Sequence, residues 1–163
     1  GLAIVGYGVV DRQGNRLLPV QYGCITTEAG TDDPIRLRRI YEETIGLIDE
    51  YRPDAVAVEK LFFNKNVTTA FSVGQARGVL LLAAVQRGLP VSEYTPLAVK
   101  QSVAGYGKAE KHQVQEMVRM LLNLPRAPKP DDAADALAVA ICHAHMSGLQ
   151  ARWKEIGNGA SER

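Results

Sequence analysis

The spacing of apolar positions changes character several times along the chain. After Ala3, the run 3–10 is β-branched, aromatic or glycine, the mark of a strand, and Asp11-Arg12-Gln13-Gly14-Asn15 supplies turn chemistry. Two further short strands are predicted over 17–20 and 22–27, antiparallel because the connections are short. The period then lengthens. Asp33-Pro34 marks a helix start, and Ile35, Leu37, Ile40, Tyr41, Ile45, Leu47 and Ile48 recur at helical spacing up to Tyr51. Arg52-Pro53-Asp54 ends that helix, and the apolar run 55–58 suits a strand buried on both faces.

A second helix is predicted over about 68–87, with Gly74 and Gly78 one turn apart. Glycine in a helix costs about 1 kcal/mol against alanine, so this pair predicts a backbone that approaches a neighbour closely. That neighbour is either the chain's own sheet or another molecule. A strand follows at 90–94, then a short helix at 96–103 and a loop punctuated by Gly105 and Gly107. Helices are predicted at 110–122 and 131–147, joined by a proline-rich connector. The order of elements predicts an α/β fold, a mixed sheet flanked by helices on both faces. It forms one domain over 1–148, with a polar, flexible tail over 149–163. Two buried parallel strands call for a central partner, and no such strand precedes Gly1 in this sequence.

Composition narrows the class. A chain of 163 residues, 46% apolar and 23% charged, suits one globular domain. No run of apolar residues approaches the length of a membrane span, and the start lacks the basic region of a secretory signal. Cys24 and Cys142 are far apart and read as buried thiols. The net charge of +1 argues against a general polycation. Its distribution says more: from Lys60 to Arg119 eight basic residues face three acids, a local excess of +5 by subtraction. Such a segment could meet phosphates, or be an unevenly charged solvated surface.

Three carboxylates carry the chemistry. Glu59 follows the buried run at the carboxyl end of a parallel strand, where open α/β sheets place ligands. It could equally open a loop into solvent. Asp132 and Asp135 share one face of the last helix. Acids in a first turn also fit the helix dipole, but Ala133, Ala134, Ala136, Leu137, Ala138 and Val139 surround Asp135 with apolar neighbours. Oxygen donors on a buried helix and at a strand end suit magnesium or manganese. Cys142, His143 and His145 point in different directions on their helix and read as packing residues.

The run Asp131-Asp132-Ala133-Ala134-Asp135-Ala136-Leu137-Ala138 resembles the closing acidic helix of the RuvC-type crossover-junction endodeoxyribonucleases. Ala57-Val58-Glu59-Lys60-Leu61-Phe62-Phe63, with Lys65-Asn66, resembles that family's second acidic strand and loop. Gly74-Gln75-Ala76-Arg77-Gly78, Val99-Lys100-Gln101-Ser102 and Ala109-Glu110-Lys111 are similar to family segments in the same order. The resemblance covers residues 1 to about 147.

It implies an RNase H-like fold with a mixed five-stranded sheet, and metal-assisted hydrolysis of DNA at four-way (Holliday) junctions in recombination and repair. Glu59, Asp132 and Asp135 would be catalytic and would hold two Mg2+ ions per subunit, with Mn2+ as a substitute. Lys100, Lys111 and Phe62 would meet DNA, the phenylalanine by stacking on an opened base; a core role for Phe62 also fits. The loop 105–108 could offer backbone donors to a phosphate. Gly74 and Gly78 would lie in a homodimer interface. A bacterial cytoplasmic location and contact with the branch-migration motor complex go with the family.

The family's fourth acid is an aspartate at the end of its first strand, in a Gly-Ile/Val-Asp-Pro-Gly run of which Gly1 matches the last residue. Without that strand these residues alone are expected to fold poorly and not to cleave. The alternative is a non-catalytic junction-binding module. RNase H-like enzymes acting on other nucleic acids, and actin-like phosphotransferases, are more distant fits.

Overall fold

Gly14 and Asn15 reverse the chain between two long strands, Gly14 adopting a φ of 64° that glycine reaches without steric cost. The strands are β1 (Ile4–Gln13) and β2 (Arg16–Thr26), antiparallel from Ile4↔Thr26 to Gln13↔Arg16. The two strands expected at 17–20 and 22–27 are therefore one. Pro19, which has no N–H for a ladder, coincides with a bulge: Val9 pairs with Gln21 but Val10 pairs with Pro19, leaving Val20 as the extra residue. This structure, a computed structural model, describes residues 2–60 and 67–160, with side chains up to residue 149.

The helices start and stop where local chemistry directs. α1 (Asp33–Tyr51) has Asp32 as N-cap and a proline in its first turn, and it ends at Arg52 in the left-handed region. β3 (Val56–Glu59) pairs in parallel with β4 (Val91–Tyr94), and α2 (Val67–Gln86) connects them. α3 (Pro96–Ala104) is capped by Thr95, whose hydroxyl accepts from Ala98 N–H at 3.0 Å, and stopped by Gly105 at a φ of 89°. α4 (Lys111–Leu121) begins with a capping box in which Glu110 N–H donates to Gln113 Oε1 at 2.8 Å. In the preceding glycine loop Gly105 N–H donates to Gln101 O and Ala109 N–H to Tyr106 O. α5 (Asp131–Ala160) continues well past the end expected at residue 147. Leu149, Gln150, Ala151, Arg152 and Lys154 all favour helix, and no proline interrupts them.

Two core clusters lie on opposite faces of the strands. Leu2, Ile25, Ile40 and Ala76, with Val5 and Tyr7, join one face of the hairpin to α1 and α2. Val99, Val103, Val118, Leu122, Leu137, Ile141 and Cys142, with Val10 and Tyr22, join the other to α3, α4 and α5. Helices thus cover both faces, as the element order predicts. Among the described residues the strands form two separate pairs, β1–β2 and β3–β4, instead of one five-stranded sheet. β3 is accordingly only half-buried, not enclosed on both faces, since β4 is its sole strand partner among those residues. α5 packs against all four strands and ties the pairs together.

α2 buries Ala76, Ala83 and Ala84 and leaves Val67, Phe71, Leu82 and Val85 exposed. By length and composition alone it would be long and apolar enough to cross a membrane, which the apolar-run reading of the sequence did not register. Its other face is engaged in the fold, and Arg77 from it pairs with Glu93 of β4 at 2.8 Å.

Candidate active site

Glu59 ends β3 opposite Tyr94 of β4, and the ladder extends one step further as Lys60 N–H donates to Tyr94 O at 2.7 Å. This places Glu59 at the carboxyl end of the parallel pair, half-buried. Burial pushes its carboxyl above the ordinary range; the charge of Asp135 pushes the same way and Lys100 opposes both. Asp135 lies on the second turn of α5. Burial raises its carboxyl too, Lys111 draws it down, and the charges of Asp132 and Asp131 push it up. The structure thus brings Glu59 and Asp135 into electrostatic contact from two separate elements.

Asp132 sits differently. A Cβ on Gly6 of β1 would lie 2.0 Å from the Asp132 carbonyl oxygen and 3.0 Å from its Cβ, so the first turn of α5 rests directly on the hairpin. Cys24, opposite Gly6 on β2, feels the same residue: its thiol is raised by burial and then by the Asp132 charge. Among the described residues no three Asp, Glu, His or Cys side chains converge as a ready cage for a metal. Glu59 and Asp135 fit a hard divalent cation, being oxygen donors that repel one another until a cation lies between them. Asp132 flanks them on the hairpin side.

Lys100 and Lys111 both lie near these carboxylates. Lys100 of α3 is close enough to lower Glu59. Lys111 of α4 places Nζ 3.4 Å from Asp131 Oδ2 and 3.5 Å from Asp135 Oδ2. Phe62, expected to stack on a base, lies outside the described residues. Gly74 and Gly78 are away from the carboxylates, and a Cβ on either would meet nothing within 4 Å. Close packing on the chain's own sheet is therefore not the reason for them. His143 and His145 serve packing: Nδ1 of each is hydrogen-bonded, to Tyr94 Oη at 2.7 Å and Ser102 Oγ at 3.1 Å. Cys142 is fully buried.

Reading the sequence overlooked several residues. Gly6 and Gly8 alternate along β1 and so share a face, and a Cβ on Gly8 would lie 2.7 Å from Leu137 Cδ2. Their spacing of two in a strand was the available signal for a closely docked helix. Asp131, with Lys129 and Lys111 around it, gave no signal, because the pairing requires α4 to approach α5.

Carboxylates at the end of a parallel strand and on a facing helix, flanked by lysines on an α/β fold, suit the class of metal-assisted nucleases with an RNase H-like fold. The family model for "Crossover junction endodeoxyribonuclease RuvC" matches residues 1–143. Proteins described by the same words are similar over most of their length. The one from Brevibacillus brevis is 64% identical over 146 residues, 90% of this chain and 88% of the relative. That from Desulfitobacterium hafniense is 63% identical, over 91% of this chain and 90% of the relative. The solved structure of Thermus thermophilus RuvC superposes with a TM-score of 0.86 at 37% identity, covering 92% of both chains. The same protein in complex with a Holliday junction substrate gives 0.84 at 35% identity, covering 91% of both. The chain belongs to the RuvC family of crossover junction endodeoxyribonucleases, and its fold is the RNase H-like fold of that family. Nucleases of this family use divalent metals.

Proposed function

We propose that this protein resolves Holliday junctions by divalent-metal-dependent hydrolysis of DNA phosphodiester bonds, in recombination and repair. The observation that carries the reading is that half-buried Glu59 and the more exposed Asp135 act on one another electrostatically, with Lys100 and Lys111 beside them. Glu59, Asp132 and Asp135 hold the metal, Mg2+ with two ions per subunit, and Mn2+ can replace it. When bound, the metal polarises the scissile phosphate and makes a water nucleophilic near neutral pH. The carboxylates would fix its position and balance part of its charge. Lys100 and Lys111 offset the charge that develops on the phosphate. Phe62 stacks at the junction centre.

The exposed stripe of α2 supports a homodimer. Val67, Phe71, Gly74, Gly78, Leu82 and Val85 follow one another at steps of three or four, so they form one face. Four of them are large, apolar and more than half exposed, and the two glycines let a second backbone approach closely. A second copy of the same helix is the occupant that suits a substrate with two symmetric strands to cut. The bacterial cytoplasm and the branch-migration motor complex are the setting that goes with this reading. A binding module without catalysis is not favoured, since the similar proteins are described as endodeoxyribonucleases at 55–64% identity.

The test is cleavage of a synthetic four-way junction in Mg2+. Product is expected from the wild type with the family's first strand present, and binding without product from Glu59→Gln in that same chain. Cleavage by Glu59→Gln at the wild-type rate would remove the metal-site assignment.

A further inference from the structure

Lys111 opens α4, and its ammonium rests between two acids of α5 that stand one turn apart. It is 3.4 Å from Asp131 Oδ2 and 3.5 Å from Asp135 Oδ2. Asp131 is held from elsewhere as well, Lys129 Nζ donating to its Oδ1 at 3.2 Å. Lys129, Asp131, Lys111 and Asp135 therefore alternate in sign across the entry to α5. Asp135 belongs to the metal site proposed above, whereas Asp131 is not one of the expected ligands. Side chains 131 and 135 share a helix face, so one ammonium reaches both from a neighbouring helix without favouring either by distance.

This arrangement sets up a competition. The ammonium stands against a carboxylate that a divalent cation has to claim, and two cations on one carboxylate repel. Lysine is a flexible point charge and gives way more readily than a bound divalent ion. A displaced ammonium needs another acceptor, and Asp131 already touches it. We propose that Asp131 is a positioning residue for Lys111, receiving its ammonium when a divalent cation takes Asp135. Lys111 then yields to the metal and still stays beside the site, where a phosphate would meet it. The inference rests on reading Asp135 as a metal ligand.

Mn2+ alone, titrated calorimetrically into the full chain without DNA, is the probe. Lys111→Met is expected to tighten Mn2+ binding by about fivefold, and Asp131→Asn to weaken it by about as much. In the Lys111→Met background, Asp131→Asn then weakens binding by less than about twofold, because no lysine remains to be received. Asp131→Glu keeps the acceptor and restores wild-type affinity within about twofold. Equal factors in the two backgrounds would make Asp131 a remote charge only and overturn the proposal; an unchanged affinity in Asp131→Asn would do the same. Asp135→Asn separates the levels. If it leaves Mn2+ binding intact, the ligand assignment falls and this proposal with it. If it weakens binding by about tenfold or more while the two other changes simply add, only this proposal falls. Asp131 is substantially exposed, and circular dichroism of each metal-free variant checks that the fold is kept.

Discussion

At the scale of single residues, Glu59 is held in a place that disfavours its charge. Its carboxyl is raised in the folded chain, first by burial and then by Asp135. The protonated form therefore stabilises the fold below the ordinary carboxylate range, and that contribution is lost as the pH rises through the raised value. Glu59→Gln is expected to match the wild type in thermal unfolding near pH 4. It should then exceed the wild type increasingly toward pH 7, by about 2–4 °C in Tm, in the absence of metal. Added Mg2+ should reverse the order, since a ligand that binds only the folded state stabilises the protein that retains the site. A variant no more stable than wild type at pH 7 without metal would contradict the electrostatic picture. Glu59 was legible in the sequence as an acid at the end of an apolar run, Asp135 by its apolar neighbours and Asp132 by its spacing of three from Asp135. The distinction between them was not: Asp132 leans on the hairpin while Asp135 faces Glu59, and only tertiary packing decides that.

At the scale of elements, the placement of α5 depends on two residues without side chains. Gly6 and Gly8 let the first turns of this helix lie against β1, so the acids it carries are positioned by the hairpin. Gly6→Ala puts a methyl group where the Asp132 carbonyl oxygen stands, and backbone has to move. We expect a loss of about 1–3 kcal/mol, the range for overpacking, read by urea unfolding. Weaker Mn2+ binding should accompany it, because the same shift moves Asp132 and Asp135. Gly14→Ala, at a positive φ with open space around it, should cost stability without altering metal affinity. Most elements could be read from the sequence, since apolar positions repeat every three to four residues in α1 and α4, and proline, threonine and glycine mark the ends of α1 and α3. The exceptions have local causes. Pro19 looked like a strand end and proved to sit at a bulge, and the polar stretch after Ser147 looked like a tail although its residues favour helix.

At the scale of the whole molecule, the exposed face of α2 is the surface on which the proposed homodimer rests. Phe71→Asp places a charge in the middle of the exposed stripe, where the side chain is 71% exposed and touches little of its own chain. In the homodimer reading it should leave the monomer's unfolding unchanged within about 0.5 kcal/mol. Sedimentation should nevertheless show monomers at concentrations where the wild type is dimeric. Cleavage should then fall from paired cuts in opposite strands to unpaired nicks. A wild type that sediments as a monomer at all concentrations would remove the dimer. The glycine pair in this helix was visible in the sequence, and the structure narrowed its meaning by showing that the chain's own sheet does not fill the space beside it.

The bulge at Pro19 and Val20 also bears on solubility. A two-stranded ribbon offers backbone donors and acceptors along its outer edges, to which another molecule's strand could add. The extra residue at the bulge throws the following positions out of step, so a straight partner strand cannot stay in register along β2. The same irregularity that obscured β2 in the sequence thus helps keep separate molecules from joining edge to edge at high concentration.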